Sequence, residues 1–275
     1  MKLLTLNTHS WIKGANTATY APLIEDIITN QYDAIALQEV NQLAVGPVIS
    51  NPEWYHATQT QIPIKENNFA YFLVMALAEK NLFYHWSWVP CHVGYVHYDE
   101  GVALLSKEPI QSVKQIQLST KNDFRSYHTR RALVVQTDSA CFLSVHMSWW
   151  RRRFRWKWKK PFLTEWHSLE TAVSKIQDKS IYIMGDFNNP ADKRNEGYDV
   201  ILQSGWYDSY NSAAVREGSA SVPPAIDGWN QNKLPLRIDY IFSNQPQAAE
   251  TYEIKFDGKK HPSVSDHYGV SVTYP

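Results

Sequence analysis

Short apolar runs, many rich in β-branched residues, recur along the chain, and most close on a polar or charged residue. "KLLTLN" (2–7), "DAIALQEV" (33–40), "GVALLSK" (101–107), "RALVVQT" (131–137), "CFLSVHM" (141–147), "IYIMGDF" (181–187), "RIDYIFS" (237–243) and "HYGVSVTY" (267–274) read as strands. Many are apolar at consecutive positions, as strands buried on both faces are. Longer amphipathic stretches predict helices near 20–30, 67–80, 161–177 and 197–204. The third is the clearest: Pro161 suits a first helical turn, and Phe162, Trp166, Leu169, Val173 and Ile176 recur at helical spacing. Strands outnumber helices, which predicts sheets covered by helices in a layered α/β fold. No repeat, low-complexity linker or shift in composition divides the chain, so residues 1–275 are read as a single domain.

Composition narrows the class. Hydrophobic residues make up 44 % and charged residues 20 %, an ordinary globular balance. Two cysteines, Cys91 and Cys141, are too few for a disulfide framework. The opening "MKLLTLNTHSW" turns polar at Asn7, with no leader-like apolar core and no run long enough to span a membrane, which predicts a cytoplasmic protein. Lys and Arg number 27, against 27 Asp and Glu, but the cations are unevenly placed. "WWRRRFRWKWKK", Trp149 to Lys160, holds seven cations, five large aromatics and no acid. Without it the chain has 27 − 7 = 20 basic and 27 acidic residues, a net charge of −7. A general nucleic-acid binder spreads its cations over a broad face, so long duplex DNA is disfavoured as a partner.

The candidate chemistry lies at strand ends. One strand closes on Asn7 and His9, another on Glu39, another on His146, and another on Asp186 and Asn188. Asp239 sits between Ile238 and Tyr240, and Asp266 and His267 open the last strand. Taken singly, each has an ordinary explanation as a cap, a turn, a satisfied core histidine or half of an ion pair. Together they predict convergence at one rim of the layered core, where α/β folds carry their sites.

The motifs "LNTH", "LQEV", "GDFNNP", "RIDYIF" and "SDHYG", in this order, resemble the endonuclease/exonuclease/phosphatase superfamily over nearly the whole chain. The resemblance implies a four-layered α/β sandwich, DNase-like, with two sheets face to face and helices outside. It also implies Mg²⁺, with Mn²⁺ as a substitute. Glu39 would be the principal ligand, supported by Asn7, with Asp266 binding or relaying to the metal. Asp186 would deprotonate or orient the attacking water, and Asn188 would hold the phosphate or that water. His267, oriented by Asp239, and His146 would face the phosphoryl group, with Glu100 orienting His146. A carboxylate behind each imidazole would favour a cationic donor.

The superfamily cleaves both monoesters and diesters, so the substrate needs other signals. "HTRRALVV" sets Arg130 and Arg131 at a strand start, where an arginine fork suits a monoester dianion. Neighbours on a strand point to opposite faces, so one of the two can equally face solvent. Trp11, Trp86, Trp88, Trp149, Trp150 and Trp229 flank the candidate segments, and flat indoles stack on sugars or fill cores. "MKLLTLNTHSW", "EGVALLSK", "YHTRR", "IDGWNQNKLPLRIDYIF" and "VSDHYG" resemble a cytoplasmic branch of lactic-acid bacteria associated with maltose 6'-phosphate dephosphorylation. The expected partner is therefore a small phosphorylated sugar bound through Arg130, Arg131, Trp149, Trp150 and Trp229, with no stable nucleic-acid, membrane or obligate protein partner. The Trp149–Lys160 stretch is expected at the mouth of the site, drawing in an anion and folding over it as a lid. A grip on a membrane surface or a nucleic-acid backbone, or a solvated extension of the following helix, are the other readings. The alternative activity is phosphodiester cleavage, nuclease or sphingomyelinase-like. The intact set of polar residues speaks against a non-catalytic binder.

Overall fold

A computed structural model describes the chain except residues 13–15, 60–61, 155–156 and 227; the side chains of 152–158 also lie outside the described residues. Seven strands form one sheet in the order β12 (Val215–Glu217), β14 (Thr251–Lys255), β15 (Gly269–Thr273), β1 (Lys2–Asn7), β2 (Ala34–Leu43), β4 (Tyr98–Ser106) and β3 (His85–Gly94). Six form the other, in the order β11 (Tyr207–Asp208), β13 (Asp239–Ser243), β10 (Ser180–Asp186), β7 (Ala140–His146), β6 (Arg131–Gln136) and β5 (Ser112–Gln117). The pairs β1–β2, β7–β10 and β12–β14 are parallel, and the remaining pairs within these two sheets are antiparallel.

Alternation along each strand builds the layers. Leu3, Ala34, Ala36, Val102 and Leu104 of the first sheet meet Leu133, Val135, Phe142, Tyr182 and Met184 of the second in one core between the sheets. The intervening residues Leu4, Ile35, Leu37, Ala103 and Leu105 turn outward onto α1 (Ala21–Asn30) and α2 (Phe69–Ala78). On the opposite side Ala132, Val134, Cys141, Leu143, Ile181 and Ile183 turn onto α3 (Pro161–Val173) and α4 (Gly197–Gln203). Helices, sheet, sheet and helices therefore make four layers, the expected sandwich, and both faces of the central strands are apolar because both are covered.

The fourth predicted helix is observed where expected, α5 (Ser209–Ser212) is a single turn, and α3 stops at Val173, short of the expected 177. Ile176 still packs on the same core as a partly buried residue. Both cysteines are buried and free. The expected loop at 149–160 carries two short strands, β8 (Arg152–Phe154) and β9 (Lys157–Lys159), paired antiparallel. Whether its side chains cover a ligand is a question that lies outside the described residues. Among the described residues no helix is long and apolar enough to cross a membrane.

Candidate active site

Strand register assembles the site. β10 lies between β7 and β13, and Asp186 is paired with His146 on one side and with Asp239 on the other. Three adjacent strands thus set three titratable side chains in a row. In the other sheet Asn7 is paired with Gln38, and Glu39 follows in a bulge where the β2–β4 register shifts. Glu39 has φ 49, a left-handed conformation that re-aims its side chain out of the sheet. Below this rim Gln38, fully buried, donates to Ser144 Oγ across the two sheets, a polar tie that fixes their separation.

The side chains meet in a cleft of about 430 Å³ lined by His9, Glu39, Glu100, Arg130, His146, Asp186, Asn188, Asp266 and His267. Asp186 Oδ2 is its hub. It accepts from Asn7 Nδ2 at 3.2 Å, and His146 Nε2 and His267 Nε2 lie 3.5 and 3.9 Å away. The other oxygen accepts the Asn188 backbone N–H at 2.8 Å. Burial and then the charge of Asp239 push the Asp186 carboxyl up to about 7, against the opposing pull of His267. His267 Nδ1 lies 3.0 Å from Asp239 Oδ2. Burial disfavours the charged ring, but Asp239 outweighs it and lifts His267 to about 10. His146 differs from the expected cationic donor: burial and the nearby Arg130 charge hold it well below the ordinary histidine range, so its ring is neutral.

Glu100 also differs from expectation. Its carboxylate lies 3.3 Å from Nε2 of His92, and the carboxylate nearest to His146 is Asp186. A register shift between Pro90 and His92 sets His92 opposite Glu100. Burial and the Glu39 charge raise Glu100 to about 8, while burial and Arg130 depress His92 to about 4, so both are neutral near pH 7.

The two arginines part company. Arg131 is tied down by Gln117 Oε1, Pro90 O and Asn122 Oδ1 at 3.2, 2.6 and 2.8 Å, a structural role in place of the expected phosphate contact. Arg130 is 5 % exposed and lines the cleft, its Nε has no hydrogen-bond partner, and no described carboxylate lies within ion-pair distance. A buried guanidinium left without a counter-charge marks a place for an anion.

At the opposite wall His9 Nδ1 lies between Glu39 Oε2 at 3.1 Å and Asp266 Oδ1 at 3.8 Å. Burial works against the charged His9 ring, but Glu39 and Asp266 raise it above its ordinary value. For Glu39 itself, the penalty of burial is outweighed by the hydrogen bond and charge of His9 and by the Asn7 amide, which hold the carboxyl well below the carboxylate range. This locus calls for positive charge, and its carboxylate oxygens suit a hard divalent cation. Asn7, expected as a ligand, serves here as a donor, giving its amide protons to Glu39 and Asp186 while Oδ1 accepts the His9 N–H. A second group, Asp186, Asp239 and His267, has ligand-type atoms within 4.8 Å of one another. The pairing of Asp239 with His267 accounts for that group as a hydrogen-bonded relay.

Of the six tryptophans singled out, Trp11, Trp86, Trp88 and Trp150 are buried in the cores. Trp149 and Trp229 are half-buried and line a second cleft of about 460 Å³, which Trp150 also lines. Sequence reasoning assigned no role to His9, His92, Tyr95 or Tyr127, which also line the first cleft. His9 alone carried a signal, as the polar end of "LNTH".

The layered fold and a cleft that brings together carboxylates, a cationic histidine and an unpaired arginine are those of a phosphoric ester hydrolase. The model of the Endonuclease/Exonuclease/phosphatase family matches residues 10–267, and the chain belongs to that family. Enzymes of this family are in general dependent on a divalent metal. A search of curated proteins found no match. Among solved structures the chain is 28 % identical to an endonuclease/exonuclease/phosphatase family protein from Leptotrichia buccalis, at a TM-score of 0.85 with 100 % of this chain and 99 % of that one covered. A mannosyl-6-phosphatase from Bacteroides thetaiotaomicron is 15 % identical at a TM-score of 0.63, covering 100 % and 99 %. A 3' phosphatase from Neisseria, bound to product DNA hairpin, is 18 % identical at a TM-score of 0.62, with the same coverage. These last two likenesses are of fold.

Proposed function

We propose that the protein is a Mg²⁺-dependent phosphomonoesterase of phosphorylated sugars, with maltose 6'-phosphate as its substrate and residues 1–275 as one catalytic domain. Arg130 carries the reading: a buried, unpaired guanidinium beside a cation locus and a cationic histidine suits a dianionic phosphate. The sugar comes from the motif resemblance and from Trp149 and Trp229, whose rings line the adjoining cleft. The same resemblance gives a cytoplasmic setting.

Glu39 and Asp266, with Asn7 beside them, would hold the divalent cation, which when bound offsets charge on a phosphoryl oxygen. Arg130 fixes the phosphate by charge and by its free Nε–H. Asp186, titrating near 7, takes the proton of the attacking water, its carboxylate aimed by Asn7 and the Asn188 N–H. His267, kept protonated by Asp239, donates from Nε2 to an equatorial oxygen. His146 is neutral and contributes a ring N–H rather than a charge. Glu100 and His92, which line the same cleft as Arg130, are both uncharged, so neither neutralises the guanidinium. No covalent phosphoenzyme is required: the water oxygen bonds to phosphorus as the bond from phosphorus to the sugar oxygen breaks, and the departing alkoxide takes a proton from solvent.

The test is phosphate release from maltose 6'-phosphate, glucose 6-phosphate, an inositol phosphate, sphingomyelin and plasmid DNA, each with Mg²⁺ and with EDTA. Selective release from the disaccharide phosphate supports the reading. Cleavage of DNA or sphingomyelin without sugar-phosphate turnover overturns the substrate and makes the phosphodiesterase alternative the better one.

A further inference from the structure

Asn188 follows the base Asp186 by two residues and lines both clefts. Its backbone is left-handed, with φ 51, a conformation that asparagine tolerates better than most residues. Two of its ties run to the strand ends: its N–H donates to Asp186 Oδ1 at 2.8 Å and Nδ2 donates to Met147 O at 3.0 Å. The third comes from outside the sandwich, where Trp229 Nε1 donates to Asn188 Oδ1 at 3.2 Å.

Trp229 is held in its own small unit. Its N–H donates to Ile226 O at 3.0 Å and its carbonyl accepts from Asn232 at 2.9 Å. Its ring packs on a satellite cluster of Val222, Ile226, Leu236 and Ile238. The neighbouring Gly228, at φ 75, lies so close to Trp149 that a Cβ there would come within 2.7 Å of Cζ2. Trp149 thus packs directly against the residue that precedes Trp229. One side of this unit lines the second cleft, while the indole N–H grips the amide that stands beside the base.

Building on the phosphomonoesterase reading above, we propose that Trp229 is a positioning residue for Asn188, through which occupancy of the second cleft is transmitted to the turnover step. The Asn188 amide is a terminal rotor about a broad torsion, so its orientation depends on its partners. Met147 O alone fixes one of its two ends, and Trp229 fixes the other. A leaving group resting against Trp229 keeps the indole seated and the amide oriented. An alcohol too small to reach the cleft leaves Trp229 free to shift. Selection among leaving groups is then expressed in kcat and not only in KM.

Trp229→Phe keeps the ring and removes the N–H, and Trp229→Leu removes both. Two readouts are needed. Without substrate, the side-chain amide resonance of Asn188, assigned by its loss in Asn188→Ala, is followed in nitrogen-labelled protein. With substrate, kcat and KM are measured on glycerol 3-phosphate and on maltose 6'-phosphate. Trp229→Phe is expected to shift or broaden the Asn188 resonance. It should lower kcat on maltose 6'-phosphate about tenfold, the worth of one ordinary hydrogen bond, with KM within about twofold, and lower kcat on glycerol 3-phosphate less, because there the indole is already free to shift. Trp229→Leu should add a rise in KM for the disaccharide ester alone. An unchanged Asn188 resonance in folded Trp229→Phe overturns the proposal. So does a change confined to KM, which would make Trp229 a binding surface only. If the wild-type protein hydrolyses neither ester, the phosphomonoesterase reading fails, and the resonance still decides whether Trp229 holds Asn188.

Discussion

His267 Nδ1 faces both oxygens of Asp239, at 3.2 and 3.0 Å, with the carboxylate fully buried at the start of β13 and the ring just ahead of β15. The pair crosses from one sheet to the other, so the protonation of the ring depends on how the two sheets are packed. Asp239→Asn removes the charge but keeps the shape. It should lower kcat by roughly 10²–10³, in the range of a lost acid–base partner. It should also move the alkaline limb of the pH–rate profile down from about 10, because the group that raises His267 is gone. A variant with an unshifted alkaline limb would show that another group controls it.

The two adjacent arginines should separate cleanly. Arg130→Ala removes the unpaired cation in the cleft and should cut kcat/KM for a phosphomonoester by about 10²-fold or more, with melting temperature little changed. Arg131→Ala removes three hydrogen bonds that join β6 to Pro90, Gln117 and Asn122. It should cost about 1–3 kcal/mol and several degrees of melting temperature, with catalysis largely kept. Steady-state kinetics and a thermal melt on both variants distinguish the roles, and equal catalytic losses would contradict them.

The pH dependence of kcat/KM follows from two groups of opposite requirement. With Asp186 as the proposed base, needed ionised, the rate should rise as pH passes through about 7. With His267 as the proposed donor, needed protonated, the rate should fall as pH passes through about 10. The profile is a bell with its plateau between these values. A bound cation favours ionised carboxylates and should draw the acid limb below 7, the more so at higher metal concentration. A flat profile from 5 to 8 would remove Asp186 from the role of base, in an assay where an ordinary carboxylate, titrating near 4, would be ionised throughout.

Glu39→Gln tests the cation locus. It should lower turnover by roughly 10³-fold and weaken Mn²⁺ binding measured by calorimetry. The circular dichroism spectrum should stay that of the wild type, because Glu39 sits in a bulge at the rim and not in a core. Unaltered turnover would show that Glu39 does not hold the metal.

Much of this was legible in the chain, for a physical reason. β1, β2, β7 and β10 are buried on both faces, so they appear as apolar runs; Asn7, His146 and Asp186 stand out as the polar ends of three of them, while Glu39, read as the end of the fourth, lies in a bulge and β2 runs on to Leu43. β3, β5, β14 and the short β8, β9, β11 and β12 were missed. β3, "HWSWVPCHVG", mixes polar positions and Pro90 into a strand at the sheet edge, where a proline is tolerated. β5, "SVKQIQ", is an edge strand with few apolar residues. Without β3 the pairing of His92 with Glu100 could not be foreseen, since it depends on register across β3 and β4. Alternation predicted that Arg130 and Arg131 face opposite ways but not which one faces the cleft. His9 was visible at a strand end, yet its position between Glu39 and Asp266 joins residues 30 and 257 positions along the chain and appears only on folding. The neutral state of His146 also depends on the folded structure, on burial first and then on the nearby Arg130 charge.

The central claim is that Asp186 and a divalent cation together release phosphate from a sugar monoester in this cleft. The most direct measurement is phosphate release from maltose 6'-phosphate by the wild-type protein and by Asp186→Asn, each with Mg²⁺ and with EDTA. The account predicts steady release only by the wild type with Mg²⁺, and a loss of at least about 10³-fold in the other three arms. Release that persists in EDTA, or in Asp186→Asn with Mg²⁺, would contradict it.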